Sequence, residues 1–413
     1  MPSLAIVGAR LVDGRSETPI DGDILVVGDD GRIVAIGRGR RKGLIPDGTT
    51  VLDAAGATVV PGLIDCHVHF GGVHERLEDA VGRTYTESVG AMLRAGEAFL
   101  GQGVTTIRDA GGAPVGLKRL FAGGWPGPRL QVSASPLSIT GGHGDGMTPS
   151  GLILDGDRPF TELPRSLADG PDEIRKVVRT NIRAGADWIK TFSTGGVYSM
   201  MDGPGAVQYS VAELEVMVEE AGLAGIHGVL AHAENASGIK NAVRAGVRSI
   251  EHGDGIDDEA IELMIERGVP LVPTFQISHR MLEPELVERG ITPPWAVEKQ
   301  QALMVDLDRN FRRAVERGVR VAMGTDGVRD EHLPRELSHM VDHGMTPLAA
   351  LHAATIEAAR LLDLEADLGT IEPGRIADLV LVNGDPLAEP ALWSDSARVV
   401  GVVQAGRVVA DRR

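Results

Sequence analysis

The chain has a single cysteine, Cys66, among 413 residues, so no intrachain disulfide can form and cysteine usage leaves the redox compartment open. It contains no run of about 18 apolar residues, which removes a membrane-spanning helix. Its opening, MPSLAIVGARLVDGR, lacks the basic and apolar segments of a secretory signal, so a cytoplasmic protein is expected. Positive charge is also scarce. With 41 Lys and Arg against 58 Asp and Glu, the formal net charge is -17, and such a surface repels nucleic acid and anionic membranes. Three catalytic signatures are missing as well: the His-Glu-x-x-His zincin helix, the Gly-x4-Gly-Lys-Ser/Thr phosphate loop and the Gly-x-Ser-x-Gly elbow.

What is present describes a folded chain. A hydrophobic fraction of 43%, a charged fraction of 24% and 54 glycines suit a globular protein with many tight turns. The length fits one barrel of about 250 residues or more with a smaller appendage. The first sixty residues alternate β-type runs with turns, as in LAIVGARLVDG and GDILVVGDDGRIVAIG, and predict an antiparallel sheet. The last fifty show the same texture in LGTIEPGRIADLVLVNGDPL and ARVVGVVQAGRVVADRR, so both ends are expected to share one small β-domain. Between them, apolar strands alternate with helical stretches about eight times. The candidate strands are GLIDCHVHF, VTTIRDA, LQVSAS, WIKTF, VLAHA, RSIEHG, PLVPTF and VAMGTD. Helices such as TESVGAMLRAGEAFL, VAELEVMVEEAG and DEAIELMIERG intervene. The predicted fold is therefore α/β, a (β/α)8 TIM barrel over residues 59–363 with a small β-sandwich built from residues 1–58 and 364–413. A stretch from Gln276 to Val297 with Pro284, Pro293 and Pro294 is long for a plain connection and is expected to cover the barrel mouth.

Chemically capable residues sit where the strands end: Arg108 and Asp109, Lys190, His232, His252 and Asp326. Barrel enzymes place their active sites at that rim. His67 and His69 are two apart on a strand, so both side chains leave the same face and can grip one ion. An isolated pair of this kind is more often packing than chemistry; convergence with His232, His252 and Asp326 reverses that. Lys190 is the unusual member, because an ammonium repels a cation. Carboxylated by carbon dioxide, it becomes an anionic carbamate whose two oxygens can bridge two metals.

These residues lie in PGLIDCHVHF, GADWIKTFSTGG, VLAHAE, SIEHG, MGTDG and MTPLAALHAATIEAARLLDL, and this ordered set resembles the amidohydrolase superfamily, nearest its prolidase-like and imidazolonepropionase-like branch. The resemblance implies two divalent metal ions. His67, His69 and Asp326 would bind the more buried one, His232 and His252 the more exposed one, and carboxylated Lys190 would bridge them. Zinc is the expected ion, since imidazole and carboxylate suit it, with manganese, cobalt and iron left open. Two ions about 3.5–4 Å apart lower the pKa of a shared water and polarise a carbonyl, so hydrolysis by metal-bound hydroxide is the expected chemistry. Asp326 is the candidate to carry the proton from the nucleophile to the leaving amine.

His143, in SITGGHGDGM, is a second catalytic candidate because a GGHGD loop lies beside the substrate in the resembling dipeptidases. Tyr198, Tyr209, Arg329 and His332 fall on loops after the fourth and eighth strands, where a substrate carboxylate or amide could meet them. Glu234 departs from the dipeptidase pattern, in which tyrosine or histidine often stands second after the strand-five histidine; an acid there could hold a cationic substrate group. His339 and His343, four apart, read as a solvated helix face, and Cys66 as a packed strand residue. Three functions stay open: hydrolysis of a dipeptide (Xaa-Pro or similar) or N-acyl amino acid, hydrolysis of a cyclic amide, aryl amide, urea or carbamate, and an inactive binding or assembly protein. The expected partner is a small-molecule amide or dipeptide, with no nucleic acid and no membrane, and the expected assembly is a homo-oligomer.

Overall fold

The computed structural model describes residues 2–16, 20–21, 24–37, 45–71, 82–151, 162–328 and 331–413. It is an α/β structure of parallel and mixed sheets. Strands Leu63–Val68, Val104–Asp109 and Arg129–Val132 form one parallel sheet. Strands Ile189–Phe192, Val229–Asn235, Ser249–Gly255 and Leu271–Val272 form a second. Single parallel bridges join the two sheets: Leu137 to Thr191 on one side, Leu271 to Val321 and Val68 to Gly327 on the other. The expected strand VAMGTD forms no regular strand: Val321 makes one of these bridges, and Gly327, just past its end, makes the other. Expected PLVPTF is reduced to Leu271–Val272, because Pro270 and Pro273 on either side have no N–H for a ladder.

These strands are almost wholly buried, which explains why they read as apolar runs rather than alternations. Helices follow them with clear start and stop signals. Tyr85–Gly101 and Val211–Ala224 each begin with a capping box, Thr84 with Glu87 and Ser210 with Glu213. Helices Gly170–Ala184, Val211–Ala224, Ala236–Ala245 and Asp258–Arg267 all stop on a glycine in the left-handed region, a few residues before the next parallel strand.

The chain ends form two further sheets, of which the six-stranded one draws strands from both ends. In the six-stranded one, Thr58–Pro61 pairs antiparallel with Leu379–Val382, which continues into Val399–Gln404 and Arg407–Asp411. The four-stranded one holds Ile33–Gly37, Ile24–Gly28, Pro2–Val7 and Thr50–Asp53. A purely antiparallel sheet was the expectation, but Pro2–Val7 runs parallel to Thr50–Asp53, and Arg10–Leu11 runs parallel to Thr58–Pro61. Leu4, Ile6, Val27 and Val59 share one buried cluster with Leu379, Leu381 and Val403, so residues from the two ends bury each other's apolar faces.

The stretch after Leu271–Val272 is helical rather than irregular. It forms Phe275–Arg280, Pro284–Glu288 and the start of Pro294–Glu316. Buried Glu336 anchors its beginning by accepting the Phe275 N–H at 2.9 Å and the Gln276 N–H at 2.7 Å. Among the described residues no helix is long and apolar enough to cross a membrane.

Candidate metal centre

The carboxyl ends of the parallel strands bring the expected ligands together. His67 is the last residue but one of the first strand, fully buried, and His69 directly follows that strand. Asp326 Oδ1 lies 3.5 Å from His67 Nε2 and 3.2 Å from His69 Nε2. These three residues offer ligand atoms within 4.8 Å of one another, the one such group among the described residues. Lys190 Nζ is 3.4 Å from His67 Nε2. The His252 ring centroid stands 5.1 Å from that of His67 and 4.5 Å from that of His232. All six expected ligands therefore belong to one cluster.

The remaining ring nitrogens are tied off, which fixes each imidazole. His67 Nδ1 meets Glu251 Oε2 at 2.7 Å, His69 Nδ1 the Gly111 carbonyl at 2.9 Å, and His252 Nδ1 the Thr274 hydroxyl at 2.7 Å. Each of these leaves Nε2 for a ligand. His232 is the reverse: its Nε2 meets the Gly195 carbonyl at 3.2 Å and leaves Nδ1. Partners of this kind set tautomer and ring orientation in metal sites. Glu251 is itself held by buried Arg108, whose Nη2 donates to Oε1 at 2.9 Å while Nε donates to the Cys66 carbonyl at 2.6 Å. Asp65 accepts from the Thr325 hydroxyl at 2.7 Å and from the His67 N–H at 3.0 Å, joining the first strand to the turn that carries Asp326.

The backbone supports the same geometry. His252, Thr274 and Asp326 have φ of 70°, 53° and 53°, left-handed values that cost non-glycine residues energy and cluster at functional sites. Close passage of that turn needs Gly324, where a Cβ would lie 2.8 Å from the Cβ of His67.

Electrostatically the cluster suits a cation. Burial drives His67, His232 and His252 well below their ordinary value, so the imidazoles are neutral and have lone pairs to give. Burial raises Asp326 to about 6 against the opposing pull of Lys190. Burial also lowers Lys190 to about 8. Among the described residues no carboxylate lies within ion-pair distance of its ammonium. A buried amine without an acid partner, beside two neutral imidazoles, fits carboxylation better than a structural ion pair. The donor set of His67, His69 and Asp326 thus fits a divalent metal ion.

His143 joins the cluster by stacking on His232, with ring centroids 4.6 Å apart. Glu234 is buried at the end of its strand, with Oε1 3.8 Å from His232 Nε2 and Oε2 unpartnered. Tyr198 is exposed, and its hydroxyl donates to the Ile291 carbonyl at 3.3 Å. Tyr209 is fully buried in the main core and donates to the Ala168 carbonyl at 3.0 Å, so the structure gives it packing contacts. His332 Nε2 meets the Trp393 carbonyl at 2.8 Å, on the C-terminal segment. Arg329 lies outside the described residues. Cys66 is buried, as expected, and burial pushes its thiol up. His339 and His343 are not a solvated face: they pack with His279, and His343 is 9% exposed. Sequence reasoning missed Glu251, Asp65 and Thr274 altogether.

Known proteins resemble this chain in sequence and fold. Residues 58–409 match the amidohydrolase family. Ochratoxinase of Aspergillus niger is 36% identical over 368 residues, which cover 85% of this chain and 75% of that enzyme. A crystal structure of a prolidase complexed with N-methylphosphonate-L-proline superposes with a TM-score of 0.90 at 32% identity, covering 99% of both chains. A Xaa-Pro dipeptidase with methionine bound in its active site gives 0.88 at 31% identity, covering 98% of this chain and 99% of that one.

Proposed function

This chain belongs to the amidohydrolase family, hydrolases of carbon–nitrogen bonds that generally use divalent metals, and from that premise we propose that it cleaves a dipeptide, Xaa-Pro or similar. The observation that carries the reading is the convergence of His67, His69 and Asp326 with a buried, unpaired Lys190. Similarity to two proline-dipeptide enzymes over nearly the full chain favours a dipeptide among the amides.

The proposed scaffold is a (β/α)8 barrel over residues 59–363 and a composite β-sandwich of residues 1–58 and 364–413. Support comes from the parallel pairings, which lead from the first strand round to Val321 and, through the Cys66 N–H to Met323 carbonyl bond of 2.8 Å, back to it. Two zinc ions, held by His67, His69, His232, His252, Asp326 and carboxylated Lys190, would supply an activated water and a Lewis acid. Within that frame Asp326 takes the proton of the nucleophile and delivers it to the leaving nitrogen. Its Oδ1 lies 3.5 Å from His67 Nε2 and 3.2 Å from His69 Nε2, within reach of a nucleophile held between those ligands. Asp65 and Thr325 keep it in place, and Glu251 and Arg108 hold His67 for its ion. His143 contacts the substrate beside His232. Glu234, Tyr198, Arg329 and His332 are the proposed substrate surroundings, whereas Tyr209 is assigned to packing.

The test is a panel of substrates on the zinc-loaded enzyme. Release of proline from Xaa-Pro dipeptides at least about tenfold faster, as kcat/KM, than hydrolysis of N-acyl amino acids, cyclic amides, aryl amides or ureas and carbamates is the expected result. The similarity to ochratoxinase keeps the non-peptide amides in the panel. Turnover confined to them would replace the dipeptide reading.

A further inference from the structure

His143 occupies a fitted slot. Its ring stacks on His232, meets Phe192 edge-on at 5.0 Å between centroids, and lies against Gly196, where any Cβ would collide with it. One group in that slot is unaccounted for. Asp202, on the loop after Ile189–Phe192, has a buried Oδ1 without a hydrogen-bond partner, and His143 Nδ1 is likewise buried and unpartnered. The two atoms face each other at 3.7 Å, just beyond hydrogen-bond length.

Asp202 is held for this encounter. Its other oxygen accepts from Gln208 Nε2 at 2.7 Å. Lys299, reaching in from helix Pro294–Glu316, ties the loop down by donating to the carbonyls of Ser199, at 2.6 Å, and of Asp202 itself. Burial raises the Asp202 carboxyl, yet contacts with His143, Ser199 and Lys299 outweigh it and hold the group below the usual carboxylate range. Two unpaired buried polar atoms this close cost free energy unless they come to satisfy each other, and bonds of this type are often long in the empty enzyme and tighten around substrate.

We propose that Asp202, braced by Gln208 and Lys299, is the positioning residue for His143: it accepts the Nδ1–H, fixes the tautomer, and leaves Nε2 as the nitrogen that meets the substrate. This rests on the reading of His143 as a substrate contact. Asp202 acts only through the ring, so its loss is felt through orientation, an effect that can reach about 100-fold for a displacement of 1 Å.

Two measurements on the zinc-loaded protein test it. The first needs no turnover: nitrogen-15 NMR of the histidine rings, with His143 assigned by its absence from His143→Gln. The Nδ1-protonated tautomer is expected in the parent protein and a mixture of tautomers in Asp202→Ala; an unchanged ring signal overturns the proposal. The second is a kinetic cycle on the best amide of the panel. Asp202→Ala is expected to lower kcat by about 10- to 100-fold with zinc content unchanged, and to add nothing in the His143→Gln background. Lys299→Met should move kcat in the same direction by less. Fully additive losses overturn the proposal even if the enzyme is an amidase, whereas an enzyme that cleaves no amide removes the functional reading and leaves the NMR result to decide this one.

Discussion

Two groups of histidines lie in this molecule, and they differ in where their second nitrogens go. At the strand ends, His67, His69 and His252 each spend Nδ1 on a fixed oxygen, while the Nε2 atoms of His67 and His69 face Asp326 Oδ1, at 3.5 and 3.2 Å, without a hydrogen bond to it. On the helical side, His279, His339 and His343 pack against one another. His279 Nε2 meets His343 Nε2 at 2.9 Å, His279 stacks on His339 at 4.5 Å, and His343 Nδ1 meets Asp308 at 3.1 Å. Rings stacked face to face, as His279 and His339 are, do not point their in-plane lone pairs at one ion between them. Histidines become a ligand set when their far nitrogens are claimed and their near ones are not, whatever their spacing along the chain.

The comparison can be broken most severely at Lys190. On the proposed two-metal reading, Lys190→Ala should lose both ions and lower kcat/KM by roughly 1000-fold or more, because such ions carry several kcal/mol of transition-state stabilisation. Elemental analysis and far-UV circular dichroism would check it; a fully metallated, active variant rules out the bridging role. Glu251→Gln should do less. It keeps the shape but weakens the hold on His67, and outer partners of metal ligands are typically worth 10–100-fold in affinity. Competition with a zinc chelator reads this directly, and an unchanged affinity would show that Glu251 serves only to neutralise Arg108.

Why was one group readable from the sequence and its support not? His67 and His69 follow the two-residue period of a strand, and Lys190, His232, His252 and Asp326 end apolar runs, so strand geometry alone gathers them. Glu251 precedes His252, and regular alternation would send it to the opposite face. The left-handed backbone at His252 breaks that alternation and lets neighbours serve one site, a change of direction with no sequence signature in a non-glycine residue. Tyr209 was legible in another way. It directly precedes the Ser210 and Glu213 capping box, the position from which an apolar residue packs on the fourth helical residue, here Leu214 in the same buried cluster. The terminal sheets were recognisable by texture but not by direction, because parallel partners such as Pro2–Val7 and Thr50–Asp53 are joined through distant segments that short turn motifs do not encode.

The smallest effect sharpens the contrast from the other side. His339→Gln should leave zinc content unchanged and kcat within about twofold, since this ring orients no ligand. Its consequence is in acid stability. Burial, with His279, Arg335 and His343 nearby, lowers His339 to about 3, and burial lowers His279 and His343 as well. Asp308 on the neighbouring helix opposes this at His343. A folded-state value below the unfolded one means that, as pH falls below the ordinary histidine value of about 6.5, the unfolded chain binds protons that the folded chain refuses. Stability held above that pH is therefore lost progressively on acidification towards about 3. Between pH 7 and pH 5 the parent enzyme should lose a few degrees more in Tm than His339→Gln, measured in the zinc-loaded form. Equal losses would mean that these stacked rings open to solvent before the fold does, and that the second histidine group holds nothing in place.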